Sequence, residues 1–275
     1  MFLRNAVGLP ALLVALSGTA CAQSSLPLFD AHLHYNAEAR SSYPVEKALE
    51  VLRKSGVTGI LANSRPNDGT RALYEAGAKD VRVVPFIRPY VTRDDIRTWF
   101  KDPKIHALVE SEMKRGYYRG IGEFHLYGRD AGGEGVKRIV DLAVANDFYL
   151  HAHSDDETIE ALFAHNPRAK VIWAHAGFGT APDKLERYLV RYPALWPELS
   201  YRYGVTDGAG KLTPDFRRLF EKYPERFLLG SDTWVTERWD GYAGIMAGYR
   251  GWLVQLPRDV AEKIAYRNAE RLFRN

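Results

Sequence analysis

Apolar residues along this chain fall into short runs separated by longer stretches in which apolar positions return every three or four residues. The runs lie near 28–34, 57–65, 81–90, 118–125, 148–154, 169–178, 197–204 and 227–234. Several are apolar almost without interruption, as expected of strands covered on both faces. Between them the helical period appears in PVEKALEVLRKSG, GEGVKRIVDLAVAND, DDETIEALFAHNP, PDKLERYLVRYP and TPDFRRLFEKYP. No linker, low-complexity stretch or sequence repeat interrupts the alternation. Eight strand–helix pairs predict an α/β chain folded as a single (β/α)8 TIM barrel over 26–275. A doubly wound open sheet is the alternative, and it needs a nucleotide-binding turn. The glycine-rich stretch DAGGEG, Asp130 to Gly135, lacks the spacing of a dinucleotide or phosphate loop.

The first 22 residues have a different character. A basic MFLRN precedes an apolar run from Ala6 to Leu16, then small residues with an A-x-A site at Ala20 and Ala22. That order predicts a signal peptide over 1–22, cleaved after Ala22, and a periplasmic or secreted protein. The run is too short to span a bilayer as a mature helix. Lipidation at Cys21, leaving an anchored lipoprotein, is the alternative. Cys21 is the only cysteine. The mature chain therefore has no disulfide and no thiolate, and any metal must be held by nitrogen and oxygen. The formal charge of +4 is spread over helices without a basic block, so charge alone does not indicate a nucleic-acid partner.

Histidine placement supplies the chemistry. Of the eight histidines, six lie in the apolar segments: His32 and His34 in LFDAHLH, His125 in GIGEFH, His151 and His153 in YLHAHS, His175 in VIWAHAG. Residues i and i+2 of a strand point the same way, so each H-x-H pair presents two imidazoles to one side. In a barrel of this kind active sites lie at the strand C-terminal ends. Neutral imidazole suits zinc, iron and nickel, and Asp232 in FLLGSDTW adds an oxygen ligand. His106 and His165 fall in helical segments and read as surface or packing residues.

The ordered set Asp30-Ala-His32-Leu-His34, His153, His175 and Asp232 resembles the amidohydrolase superfamily. The ending AYRNAERLF resembles the branch that includes aminocarboxymuconate semialdehyde decarboxylase and related metal-dependent hydrolases. The resemblance implies a divalent metal, zinc by preference, held by His32, His34, His153 and Asp232, with Asp232 also catalytic and His175 beside the reacting water. A divalent cation lowers the pKa of water to about 7 and polarises a carbonyl. Glu123 in GIGEFHLYG resembles the strand-four glutamate of the deoxyribonuclease branch. It implies a second ion, one ion being the default. His151 is read either as a hydrogen-bonded barrel histidine or as support behind the metal.

Substrate contacts are expected from Arg88, Arg202, His125 and Trp234. Arginines near strand ends, Arg65 among them, can clamp a carboxylate or phosphate, or pair with acids as architecture. Trp239 and Tyr242 either wall the same pocket or pack against the last helix. The reading is a hydrolase of a carboxylic amide, ester or lactone in a small molecule, anionic where the arginines serve as clamps. Decarboxylation of an aromatic or muconate-like acid is the alternative reaction, and an exported binding protein without catalysis is the alternative class. Export is tested by intact mass of the protein from its native envelope. A species beginning at Gln23 is expected, and a lipidated species beginning at Cys21 would replace it with a tethered one.

Overall fold

The computed structural model describes residues 26–274, so the signal-peptide and Cys21 expectations lie outside the described residues. Seven parallel strands follow in chain order: β1 (Leu28–Leu33), β2 (Val57–Ala62), β3 (Arg82–Ile87), β4 (Gly120–Leu126), β5 (Tyr149–Ser154), β6 (Lys170–Trp173) and β7 (Leu195–Pro197). Their sheet order is the same as their sequence order. The principal helices are α1 (Val45–Lys54), α2 (Asp68–Glu75), α3 (Pro103–Met113), α4 (Glu134–Ala145), α5 (Asp156–His165), α6 (Pro182–Arg191), α7 (Pro214–Lys222) and α8 (Tyr242–Leu253). α1, α6 and α7 bury Leu49 and Leu52, Leu185 and Leu189, and Phe216 and Leu219 at the spacing their sequences show.

The eighth strand is reduced to two single bridges. Leu229 pairs in parallel with Asp30, and Leu228 with Glu198, so residues 228–229 join the last strand to the first and close the barrel. Backbone bonds from Ala31 N to Leu229 O at 2.7 Å and from Asp232 N to His32 O at 2.6 Å continue the seam. The expected strands at 197–204 and 227–234 are corrected accordingly. β7 stops at Pro197, and Tyr201 takes φ 50°, which a strand cannot hold. The alternation in LSYRYGV is that of a turn whose aromatic residues face separate environments.

Inside the barrel, Phe29, Ala31, Leu61, Val84, Phe86, Ile172 and Leu228 form one apolar cluster, and Phe273 from the chain end plugs it. The Phe273 ring lies 5.9 Å from Phe29, 5.8 Å from Phe86 and 5.3 Å from Tyr149. A larger cluster fills the space between sheet and helices. Asp30 is buried at the closing seam, accepting from Ser231 N at 2.8 Å, Ser231 Oγ at 2.6 Å and Tyr242 Oη at 2.8 Å. Burial holds its carboxyl above the ordinary value in spite of these donors.

β4 runs close to both neighbours. A Cβ on Gly120 would lie 2.3 Å from the Phe86 ring and 2.6 Å from Tyr149 O, whereas one on Gly179 would meet nothing within 4 Å. Gly120→Ala should therefore cost about 1–3 kcal/mol through overpacking. Gly179→Ala should leave stability unchanged or slightly raised. Urea midpoints decide it, and an unshifted midpoint for Gly120→Ala would refute the close packing of β4.

Candidate metal centre

His32 lies near the end of β1 and His34 directly after it, with their Nε2 atoms 3.2 Å apart. Their protonation is set from behind. His34 Nδ1 lies 2.8 Å from Asn63 O and His175 Nδ1 lies 2.9 Å from Ser200 O. Carbonyl oxygens only accept, so His175 Nδ1 carries a proton, while His34 Nδ1 lies between Asn63 O and the donating Arg88 Nη1 at 2.5 Å. His32 Nδ1 donates likewise to Glu198 Oε2 at 2.7 Å.

Two carboxylates meet these Nε2 atoms. Asp232 Oδ1 lies 3.1 Å from His34 Nε2 and 3.6 Å from His32 Nε2. Glu123 Oε2 lies 3.3 Å from His34 Nε2, and its Oε1 lies 3.5 Å from His32 Nε2 and 2.8 Å from His153 Nδ1. Ligands bound at 2.0–2.1 Å around a tetrahedral ion stand about 3.3 Å from one another. The donor separations therefore fit a first-row divalent ion, and so does the nitrogen and oxygen chemistry of the set.

Charge bookkeeping gives the same answer. Glu123, Asp232 and Glu198 are buried, and Arg88, whose Nη2 is 3.1 Å from Glu123 Oε2, is the guanidinium among them. Three negative charges against one positive leave a surplus that neutral imidazoles cannot balance. The protons respond. Burial disfavours charge on His32, yet Asp232, Glu123 and Glu198 outweigh it and raise its pKa well above the usual value. Burial opposes ionisation of Asp232 as well, but His32 and His34 bring it down to about 2. A divalent cation is the natural substitute for the proton on His32.

The donors form three groups: His32, His34, Glu123 and Asp232 in one, Glu123, His125 and His153 in a second that shares Glu123, and His32, His175 and Glu198 in a third that shares His32. His175 adjoins the second, its Nε2 being 3.2 Å from His153 Nδ1. The expected four-ligand set of His32, His34, His153 and Asp232 is thus divided, because Glu123 reaches in from β4 between β1 and β5. Four cavity-lining residues, His175, Phe178, Tyr201 and Asp232, have left-handed backbones at φ 59°, 54°, 50° and 48°. Such conformations cost of order 1–3 kcal/mol each and gather at functional sites.

The amidohydrolase profile matches residues 29–274. The chain belongs to the amidohydrolase family. No curated protein matches it in sequence. Among solved structures it is similar to an amidohydrolase from Burkholderia multivorans with bound zinc, at 18% identity and TM-score 0.56 over 90% of this chain and 99% of that one. A protein described as a 2-pyrone-4,6-dicarboxylic acid hydrolase from Pseudomonas putida has 16% identity and TM-score 0.61 over 90% and 97%. A TatD homologue from Escherichia coli has 16% and 0.57 over 91% and 99%. These likenesses establish the barrel.

The amidohydrolase opens onto a cavity of about 400 Å³ lined by Arg65, Arg88, Arg93, Glu123, His125, His153, His175, Phe178, Tyr201, Asp232 and Trp234, among others. His125 and Trp234 line this cavity. Arg88 is in the cavity, but its Nη1 contacts Asn63 Oδ1 at 2.9 Å and its Nη2 Glu123, so the guanidinium is largely spent on architecture. Arg202 is the correction: it lines a different cavity beyond Tyr201. Arg65 and Arg93 take its place at the mouth. Both reach Glu38, at 2.5 and 3.5 Å. Trp239 and Tyr242 are buried and stacked at 5.9 Å, away from the opening. His165 lies 3.0 Å from Asp141, and His106 is buried on α3.

Sequence reasoning overlooked Glu198, Asn63 and Ser200, which orient the three imidazoles. Glu198 had a signal, an acid placed straight after the apolar ALWP. Asn63 and Ser200 turn a backbone carbonyl to His34 and to His175, which residue type does not encode, and the Ser200 hydroxyl adds a contact to His175 Nδ1 at 3.0 Å.

His151 lies beneath the centre, its ring 4.4 Å from that of His32, and neither ring nitrogen has a partner. It is therefore not the hydrogen-bonded histidine expected as one reading. Burial, with His32 next, pushes its pKa well below the ordinary value. The unfolded chain then binds a proton below about pH 6.5 that the folded chain refuses, so stability is lost as pH falls. Relative to His151→Phe, the parent should lose on the order of 2 kcal/mol between about pH 7 and about pH 5. Urea unfolding at the two pH values measures it, and parallel losses would show that His151 is protonated in the fold.

Proposed function

We propose that this amidohydrolase is a metal-dependent hydrolase that opens a carboxylic amide, ester or lactone in a small anionic molecule. The observation that carries the reading is the convergence of the His32 and His34 imidazoles with Glu123 and Asp232 at the floor of the cavity. A small-molecule substrate fits a cavity of this size. His32, His34 and Asp232 would hold one ion, and His153 and His175 would stand beside a second, with Glu123 shared. Zinc suits the donor set. An ion there supplies Lewis-acid polarisation of a carbonyl and makes water more acidic.

The chain's own residues supply the remainder. Asp232 is ionised at neutral pH, and its Oδ2 can take a proton from the attacking water and return it to the leaving group. His175 can hold a proton on Nε2, because burial, which lowers its pKa, is outweighed by the Glu123 and Glu198 carboxylates nearby, Glu123 Oε1 being 3.6 Å away. So charged, it donates to the oxygen on which negative charge develops. Arg65 and Arg93 offer positive charge at the mouth to a substrate carboxylate, in exchange for Glu38. Phe178 and Trp234 cover the reacting bond and limit water.

The test joins elemental analysis to assays of lactones, esters, amides and aromatic acids for ring opening or carbon dioxide release. Hydrolysis without carbon dioxide is expected, and carbon dioxide release from an aromatic acid would move the reaction to decarboxylation. His32→Ala should lose metal and activity together while remaining folded. Full metal content in that variant would sink the ligand assignment. Glu198→Gln should weaken metal affinity about 10–100-fold by loosening His32. His175→Asn should retain a metal at the His32 and His34 position and lose about 10²–10³ in turnover.

A further inference from the structure

Arg202 is 9% exposed and lies five residues past β7. Its guanidinium makes one side-chain hydrogen bond, from Nη2 to Thr180 O, and Nε has no partner. The Phe216 ring lies 5.0 Å beneath it. No carboxylate pairs with it among the described residues, and burial is the sole influence on its pKa, pushing it down to about 10. The other buried guanidiniums, Arg65 and Arg88, and the half-buried Arg226 are treated differently. Arg65 has Glu38 and Arg88 has Glu123, while Arg226 is tied to the carbonyls of Leu189, Tyr192 and Leu195. A buried cation without a counter-charge is costly and asks for an anion from outside.

A place for one adjoins it. Beside Arg202 lies a cavity of about 250 Å³ with walls of Leu199, Val205, Ile245, Tyr249 and Trp252. One cation among apolar walls suits a single negative charge on an apolar body. The volume equals that of roughly eight waters, enough for a molecule of about as many non-hydrogen atoms. We propose that this cavity binds a small monocarboxylate, its carboxylate on Arg202 and its apolar body against Ile245 and Trp252. The site is separate from the metal centre. None of the candidate ligands lines it, and Tyr201, adjacent to Arg202 in the chain, lines the other cavity.

Calorimetric titration of the full protein with benzoate tests the proposal, with benzamide as the neutral match. Saturable benzoate binding is expected, weaker by about tenfold or more in Arg202→Met and for benzamide. Gly248→Leu provides a variant that keeps Arg202. Its Cβ has open space on α8 at the cavity, so the leucine should fold and obstruct the site, with the same loss of affinity. Absence of saturable binding at millimolar benzoate overturns the proposal. So does undiminished affinity in Gly248→Leu or Arg202→Met, and so does a loss confined to Arg65→Met, which would put benzoate in the metal cavity.

Discussion

Three buried carboxylates faced by one guanidinium set the terms for everything at the top of this barrel. Glu123, Asp232 and Glu198 could not remain ionised there without compensation, and each neighbouring group supplies part of it. Arg88 neutralises one charge. His32 is drawn toward protonation by all three and is fixed between Glu198 on one nitrogen and the metal-facing donors on the other. The polar residues that look incidental in sequence serve the same end. Asn63 gives its carbonyl to His34 and its side-chain oxygen to Arg88 and to Glu123 N at 3.0 Å. One short segment after β2 thus orients a donor, a counter-charge and a carboxylate together.

The prediction for His151 bears on the same economy. Its ring packs against His32 without a hydrogen bond, so it acts by shape, holding the more important imidazole from below. A second cation beside His32 would be repelled by it. Its pKa is therefore depressed first by burial and next by the charge on His32.

Strands and principal helices were legible because burial on both faces of a parallel sheet leaves continuous apolar runs, and amphipathic helices leave a 3.6-residue period. Legibility failed at the closing seam. Residues 227–234 are apolar enough for a strand, yet two bridges suffice there, and from Gly230 on the chain serves to hold Asp30, His32 and His34 through Ser231, Asp232 and Thr233. The imidazoles were legible from the i, i+2 rule. The grouping of candidate donors around Glu123 was not, since sequence places residues on strands but does not say how far a glutamate reaches across a barrel mouth.

The arginines make the same distinction sharper. All of those singled out follow strands, and residue type gives each the same capacity to clamp an anion. Their partners separate them. Arg88 has a buried carboxylate and cannot leave it without stranding that charge. Arg65 shares a half-exposed Glu38 with Arg93, a contact that solvent screens and an incoming carboxylate can replace at small cost. Arg202 has neither. A guanidinium's capacity to recognise an anion is thus decided by the charge already opposite it, and within one barrel that ordering runs from architecture through exchangeable clamp to open site.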